Sequence, residues 1–199
     1  PKVLLYHQIS DQETKFLENY NISVTPTIFE EHMKIISDNF KPISFEEWNY
    51  AKEIKEDISD RIIVTFDDGY IDSIRYGSEI LKKYNIDAIW FINGDFINNK
   101  KVFWLSQLMF LYNSSKLNIF LDEFKENHGY LFSPINLNNC KVDELDQWAK
   151  ENYSKTLAES LNNFIKKIDW NEENEAGKNA IFATPEVIRD LSKNFTIGN

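Results

Sequence analysis

The sequence has a single cysteine, few glycines and prolines, and no long apolar run. Cys140 has no second cysteine to pair with, so no intrachain disulfide holds the fold. Six glycines and five prolines are spread through 199 residues, and we find no internal repeat and no low-complexity tract. No apolar run reaches about eighteen residues, so the sequence predicts no membrane-spanning helix.

Positive charge is also scarce. The chain has 22 lysines and arginines against 32 aspartates and glutamates, a formal net charge of −10, and it has no basic stripe. This balance argues against nucleic acid or an anionic membrane surface as a partner and tolerates a neutral or cationic glycan. The rest of the composition, 42% hydrophobic and 27% charged, is that of a globular chain of one domain or slightly more.

The most informative stretch is an apolar strand that ends in two adjacent carboxylates. Ile62 to Phe66 is β-branched and aromatic, which is typical of a strand buried on both faces. Asp67 and Asp68 follow, and Gly69 permits a sharp turn. Apolar spacing then predicts a helix from Tyr70 to Tyr84. The two acids therefore lie at the carboxyl end of a strand, where α/β folds place their chemistry.

Two ionised carboxylates on neighbouring residues repel each other, and a divalent cation relieves that repulsion. One carboxylate can bind the cation while the other takes a proton from water. The alternative is structural, because acidic residues also favour the N-terminus of a helix and the pair could simply cap the helix that follows. The pair alone leaves both interpretations open.

Strand and helix signals alternate around this stretch, which predicts a parallel sheet, open or closed into a barrel. Thr25 before Pro26 has the pattern of a helix N-terminus, and Ser44 with Glu47 has the spacing of a capping box. Gln8 to Ser23 has few apolar anchors, so we expect a loop there.

The middle of the chain has a different character. Apolar residues recur at helical spacing between about Asn98 and Ala183, which predicts a small subdomain of two or three helices. Asp169 to Asn179 is acidic and rich in asparagine, so we expect a surface linker. Thr184 and Pro185 then have the pattern of a new helix start.

The residues Thr65-Phe66-Asp67-Asp68-Gly69 resemble the first motif of the polysaccharide deacetylases, the NodB-homology carbohydrate esterases of family 4. Four other stretches resemble the strands and first helix of that family, in the same order along the chain: Leu4-Leu5-Tyr6-His7, Thr27 to Trp48, Ala88 to Ile92, and Thr196 to Asn199. The resemblance implies an α/β fold, an incomplete distorted (β/α) barrel with a helical insertion. Residues 1–98 would form the first part of the barrel and residues 99–183 the insertion, and the barrel would resume at 184–199, where it is cut off.

The resemblance also implies an activity and a location. The protein would remove acetyl groups from an N-acetylated amino-sugar polysaccharide, outside the cell or in the envelope of a bacterium. Asp67 would be the general base and Asp68 a ligand of a divalent metal. Zinc is the first expectation for that metal, with cobalt, nickel or manganese as the others.

Three further residues are candidates for substrate binding. His7 ends the first strand on the same rim as the acids and could line the substrate groove, or it could be a histidine hydrogen-bonded at a strand end. Asp95 follows the next strand and could reach the rim, or it could serve only the turn it lies in. Trp104 begins the insertion and could stack on a sugar ring, or it could belong to the core.

The second motif of the family, a pair of metal-binding histidines, would begin just after Asn199. We therefore expect the 199 residues to be inactive by themselves and to be part of a longer protein or completed by another chain. The alternative function is a non-catalytic, deacetylase-like module that binds glycan or has a structural role. Phosphatases of the haloacid-dehalogenase type also place acids after a buried strand, but Thr65 stands where their nucleophilic aspartate would be.

Overall fold

The structure is a computed structural model, and it describes residues 1–12, 16–99, 102–129, 140–168 and 181–198. These residues form two compact units. The first contains residues 1–12, 22–99 and 181–198. The second contains residues 16–21, 102–129 and 140–168. The predicted linker at 169–179 lies outside the described residues.

Strands and helices alternate in the first part of the chain. In chain order its elements are β1 (Lys2–Tyr6), β2 (Gln8–Ile9), β3 (Ser23–Val24), α1 (Pro26–Asn39), β4 (Lys41–Pro42), α2 (Phe45–Ile54), β5 (Arg61–Phe66), a π-helical turn (Ser73–Gly77), α3 (Ser78–Tyr84), β6 (Ala88–Phe91) and a 3-10 turn (Ile97–Asn99).

The middle of the chain is helical, and one more strand follows it. The elements are α4 (Trp104–Asn113), α5 (Leu117–His128), α6 (Val142–Glu151), α7 (Lys155–Lys167), α8 (Pro185–Leu191) and β7 (Thr196–Gly198). Within the described ranges no helix combines the length and apolar character that crossing a membrane requires.

A parallel sheet forms the centre of the first unit. Its strand order is β1-β5-β6-β7, and β4 pairs with the beginning of β5. Tyr6 lies opposite Phe66, Phe66 opposite Trp90, and Phe91 opposite Gly198. Every one of these pairings is parallel, which confirms the predicted α/β fold with a parallel sheet.

Both faces of β5 are buried, as its apolar sequence predicts. One face carries Phe66, whose ring stacks on that of Trp90 with 3.9 Å between centroids, and both side chains pack with residues of α1, α3 and α8. The other face carries Ile63, which packs with Ile43 and Ile89 and with residues of α2. A strand covered on two sides is the usual environment of a parallel sheet.

The predicted helix starts are confirmed. The Thr25 hydroxyl accepts a hydrogen bond from Ile28 N–H at 3.3 Å, and Pro26 is the first helical residue. At α2 the Glu47 N–H donates to the Ser44 hydroxyl at 3.1 Å, and the Ser44 N–H donates to the Glu47 carboxylate at 2.7 Å. These reciprocal bonds are the capping box that the spacing indicated.

Two predictions about the first unit were wrong in detail. The helix expected from Tyr70 to Tyr84 is interrupted by the π-helical turn, and only its last part is the regular helix α3. The expected loop from Gln8 to Ser23 contains β2, which pairs with β3. Gln8 and Ile9 are both buried, so a short ordered strand stands where low apolar content predicted a loop.

The second unit is helical, as predicted, but it has more helices than expected. Its described residues form four, α4 to α7, whereas the spacing predicted two or three. The apolar residues that indicated the last of them are buried along one face of α7: Leu157, Leu161, Phe164 and Ile165. Phe164 packs edge-on against Phe120 of α5, with centroids 5.4 Å apart.

The stack of Phe66 on Trp90 generates a prediction about stability. Trp90→Ala should lower the free energy of unfolding by about 3–5 kcal/mol, because the fully buried indole leaves a cavity at the centre of the first unit. Tyr50→Ala is the matched control, since Tyr50 of α2 is 62% exposed. Urea unfolding followed by far-UV circular dichroism measures both, and equal losses in the two variants would contradict the assignment of the core.

Candidate functional site

The register of β1 and β5 brings three of the predicted site residues, His7, Asp67 and Asp68, to one edge of the sheet. Tyr6 and Phe66 are the last paired residues, and the Asp67 N–H continues the ladder by donating to the Tyr6 carbonyl at 3.0 Å. His7 is the next residue after Tyr6, so it leaves the sheet beside Asp67. Both are half-buried. The acid pair and the first histidine thus share the carboxyl edge of two neighbouring strands.

The turn after β5 holds Asp68 in an unusual backbone conformation. The Gly69 N–H donates to the Asp67 carbonyl at 2.9 Å, which closes a three-residue γ-turn around Asp68. Asp68 has a φ of 68° and Gly69 a φ of 77°. Aspartate is among the few residues with a Cβ that adopt this region, and glycine adopts it freely. The strained turn points to a local requirement for this placement of the carboxylate.

A second segment of the first unit braces the turn from outside. The Ala183 N–H donates to the Gly69 carbonyl at 3.0 Å, and the Ile71 N–H donates to the Ile181 carbonyl at 2.9 Å. The rings of Tyr70 and Phe182, with centroids 5.1 Å apart, stack between these two bonds. Residues far away in sequence therefore fix the chain on the carboxyl side of the acid pair.

Burial makes the charge of Asp68 costly. The carboxylate is half-buried, and loss of hydration raises its pKa above the usual value of 3.8. The nearby His7 lowers this pKa, and the negative charge of Asp67 raises it further. The net direction is upward, so the folded protein resists ionisation of Asp68 unless a positive charge is near.

The carboxylate oxygens of the pair have no described protein partner. In the part of the chain that the structure describes, no hydrogen bond and no ion pair uses the side chain of Asp67 or Asp68. Uncommitted oxygen ligands with a raised cost of ionisation fit a hard or borderline divalent cation. Across the described ranges, however, histidine, cysteine, aspartate and glutamate side chains nowhere form a group of three that could hold a metal.

An open cavity of about 500 Å³ lies against the pair. Its walls are Asp67, Asp68, Phe91, Ile92, Asn93 and Gly94. The ring of Phe91 is 39% exposed, so the cavity offers an apolar surface next to two carboxylates. A volume of this size accommodates a small-molecule group or one sugar residue.

The three residues that the sequence suggested for substrate binding lie in three different places. His7 acts electrostatically on Asp68 and so belongs to the same edge of the sheet. Asp95 is exposed, its N–H donates to the Asn93 side chain at 3.0 Å, and it is not among the residues that line the cavity. Trp104 belongs to the second unit, where its ring centroid lies 5.0 Å from that of Tyr153.

Sequence reasoning missed four residues that line the cavity: Phe91, Ile92, Asn93 and Gly94. It assigned the first two to a strand and selected Asp95 as the polar residue of the turn that follows. A usable signal was present, because the first residues after a parallel strand lie at the same edge as the residues after its neighbour. Phe91 and Asn93 satisfy that rule better than Asp95, which lies two residues farther from the strand.

Comparison with known proteins gives a family match that includes the acid pair. Residues 54–128 match the family model described as polysaccharide deacetylase. The chain is 31% identical over 100 residues to the Bacillus subtilis (strain 168) protein named "Putative polysaccharide deacetylase YxkH", a match that covers 49% of this chain and 33% of that protein. The chain therefore spans about a third of the length of this curated relative.

Solved structures show weaker similarity. The Streptococcus pyogenes deacetylase PplD in complex with acetate matches with a TM-score of 0.43 and 20% identity, over 81% of this chain and 80% of that one. A de-N-acetylase from Aggregatibacter actinomycetemcomitans matches with a TM-score of 0.41 and 23% identity, over 49% of this chain and 39% of that one. The comparison rests on the sequence matches rather than on these scores. Residues 54–128, which include Asp67 and Asp68, are similar to the polysaccharide deacetylase family.

Proposed function

We propose that this chain contributes to a metal-dependent hydrolase that removes acetyl groups from an N-acetylated amino-sugar polysaccharide. The observation that carries the proposal is the acid pair. Its two uncommitted carboxylates lie at the carboxyl edge of a parallel sheet, beside a cavity of about 500 Å³, within the stretch that matches the deacetylase family. Because the chain covers only part of its curated relative, the activity is proposed for the whole protein.

We assign Asp67 the role of general base. Its N–H is held by the ladder between β1 and β5, so the backbone that carries its carboxylate is rigid. An ionised carboxylate with free oxygens can take the proton from the water that attacks the acetyl carbonyl. Loss of acetate then frees the amine of the sugar.

We assign Asp68 the role of metal ligand. A bound divalent cation, most simply zinc and otherwise cobalt, nickel or manganese, would polarise the acetyl carbonyl and make water more acidic. The positive charge would also offset the burial that makes ionisation of Asp68 costly. Further ligands, histidines by the family resemblance, would complete the ligand set.

We propose that the substrate approaches along the edge that carries His7, Phe91 and Asn93. The ring of Phe91 can contact an apolar sugar face or the acetyl methyl group, while His7 and Asn93 offer hydrogen bonds. The earlier candidates Asp95 and Trp104 remain proposals for substrate binding. The net charge of −10 favours a neutral or cationic glycan, and an extracellular or envelope location is the corresponding proposal.

A non-catalytic glycan-binding or structural module is the second candidate. The observation that favours it is that the described residues hold no group of three potential metal ligands. The two candidates differ in one measurement. The hydrolase releases acetate from an oligomer of N-acetylglucosamine when zinc is supplied, whereas the binding module retains the oligomer unchanged.

Asp67→Asn should lower the rate of acetate release at least about 100-fold, because asparagine cannot act as the base although its side chain has nearly the same size and shape. Zinc affinity, measured by calorimetry, should change little. Asp87→Asn is the matched control: Asp87 is also a half-buried aspartate, but it precedes β6 at the opposite end of the sheet. If Asp67→Asn and Asp87→Asn retain the same activity, Asp67 is not the base.

Asp68→Asn should have opposite effects on stability and on metal binding. Because the folded protein raises the pKa of Asp68, its ionised form destabilises the fold at neutral pH, and this cost disappears as the pH falls below about 4. In EDTA at about pH 7 the variant should therefore unfold at higher urea concentration than the wild type, with the gap narrowing in acid. Added zinc should stabilise the wild type and not the variant.

Asp190→Asn is the control, because the fold lowers the pKa of Asp190 whereas it raises the pKa of Asp68. Lys193 lowers the pKa of this exposed carboxylate through a hydrogen bond, so removal of the charge should not stabilise the protein at neutral pH. Equal stabilisation by Asp68→Asn and Asp190→Asn would mean that the effect comes from net charge alone. Zinc that stabilises Asp68→Asn as strongly as the wild type would remove Asp68 from the ligand set.

A further inference from the structure

We infer that Ser73 is a positioning residue of the candidate site, which holds His7 beside Asp68 by binding the His7 carbonyl and the Ile9 N–H. The inference deepens the proposed function and rests on it in one respect, namely that His7 contacts the substrate. The placement of His7 by Ser73 is a separate, structural statement and can be tested by itself.

Two hydrogen bonds carry the inference. The Ser73 hydroxyl donates to the His7 carbonyl at 2.8 Å and accepts from the Ile9 N–H at 2.9 Å. Ser73 is 1% exposed, so water does not compete for either bond. One hydroxyl thereby satisfies a donor and an acceptor two residues apart, and the segment between them has a fixed path.

The position of Ser73 in the chain explains why this matters for the site. The π-helical turn that begins at Ser73 comes five residues after Asp68, and His7 follows directly on β1. Ser73 therefore connects the element after the acid pair to the residue after the neighbouring strand. This connection fixes the backbone of His7 relative to the element that follows Asp68.

Two more contacts connect the same two segments. The Ser10 hydroxyl lies 3.3 Å from the Asp72 carboxylate, to which it donates. Ile9 packs against Gly77 so closely that a Cβ on Gly77 would lie 3.0 Å from the Ile9 side chain. We call Asp72, Ser73 and Gly77 the latch, because together they hold residues 7–10 against the π-helical turn.

The π-helical geometry is part of the same arrangement. A π turn is less stable than a regular α-helix and persists only when local contacts require it, which is frequent at functional sites. Here the widened turn begins at Ser73 and ends at Gly77, the residues that bind and contact the segment from His7 to Ile9. The latch accounts for a distortion that the sequence pattern did not predict.

Ser73→Ala tests the placement directly, because it removes both hydrogen bonds and keeps the residue buried. The chain has only three histidines, so the ring signals of each can be assigned by ¹⁵N NMR. The variant should shift and broaden the ring signals of His7 and leave those of His32 and His128 unchanged. Ser78→Ala is the matched control, since Ser78 is buried on α3 and no described hydrogen bond connects it to residues 7–10.

His7 signals that move no farther in Ser73→Ala than in Ser78→Ala would overturn the inference. If Ser73→Ala does not fold, Ser73→Cys supplies the test, because a thiol is of similar size and bonds weakly. In Ser73→Cys the ring signals of His7 should shift and broaden relative to those of the wild type. His7 signals identical to those of the wild type would also overturn the inference. This measurement does not depend on enzymatic activity.

Kinetics separate positioning from a general loss of structure. In the active protein, Ser73→Ala should raise KM about five- to tenfold and change kcat little, as His7→Ala should. In a His7→Ala background, Ser73→Ala should have no further effect on KM, because its target side chain is absent. If Ser73→Ala raises KM by the same factor in the wild type and in the His7→Ala variant, the role of Ser73 is structural only. Absence of acetate release from the wild type would contradict the proposed function and leave the NMR result to decide the placement.

Discussion

Parallel pairing of β5 with β1 on one side and with β6 on the other determines where chemistry can occur in this molecule. Because all three strands run in the same direction, the residues that follow them meet at one edge: His7 after β1, Asp67 after β5 and Asn93 after β6. An antiparallel neighbour would place its corresponding residue at the opposite end of the sheet. The register, fixed by apolar side chains that face the helices on either side of the sheet, therefore brings the residues of the candidate site together.

The electrostatics of the acid pair set a conflict between folding and function. Burial raises the pKa of Asp68, and the turn that holds it has a positive φ at two consecutive residues. Neither feature stabilises the fold, and hydrogen bonds from residues far away in sequence hold the turn in place. Such local costs concentrate at sites where a fixed, poorly solvated charge is useful for binding or for proton transfer.

Much of the fold could be predicted because single residues carried strong local signals. Ser44 and Glu47 have the spacing of a capping box, and the run before Asp67 contains only residues that suit a strand covered on both faces. The π-helical turn and the short strand at Gln8 could not be predicted in this way. Their causes are contacts between residues distant in sequence: Ser73 binds the His7 carbonyl, and Gln8 pairs with Ser23. The acid pair was found from its motif, whereas Phe91 and Asn93 required the pairing of strands to be known.

The packing of Ile9 against Gly77 limits how this protein can be engineered for heat tolerance. Replacement of a helical glycine by alanine usually stabilises a protein, because the unfolded chain loses more freedom than the folded one. At Gly77 the added methyl group would lie 3.0 Å from Ile9 and 3.2 Å from Trp90, both fully buried. At Gly77, replacement by alanine would instead push the segment that carries His7 away from the π-helical turn. Substitutions that raise thermal stability should therefore be made at positions remote from this turn.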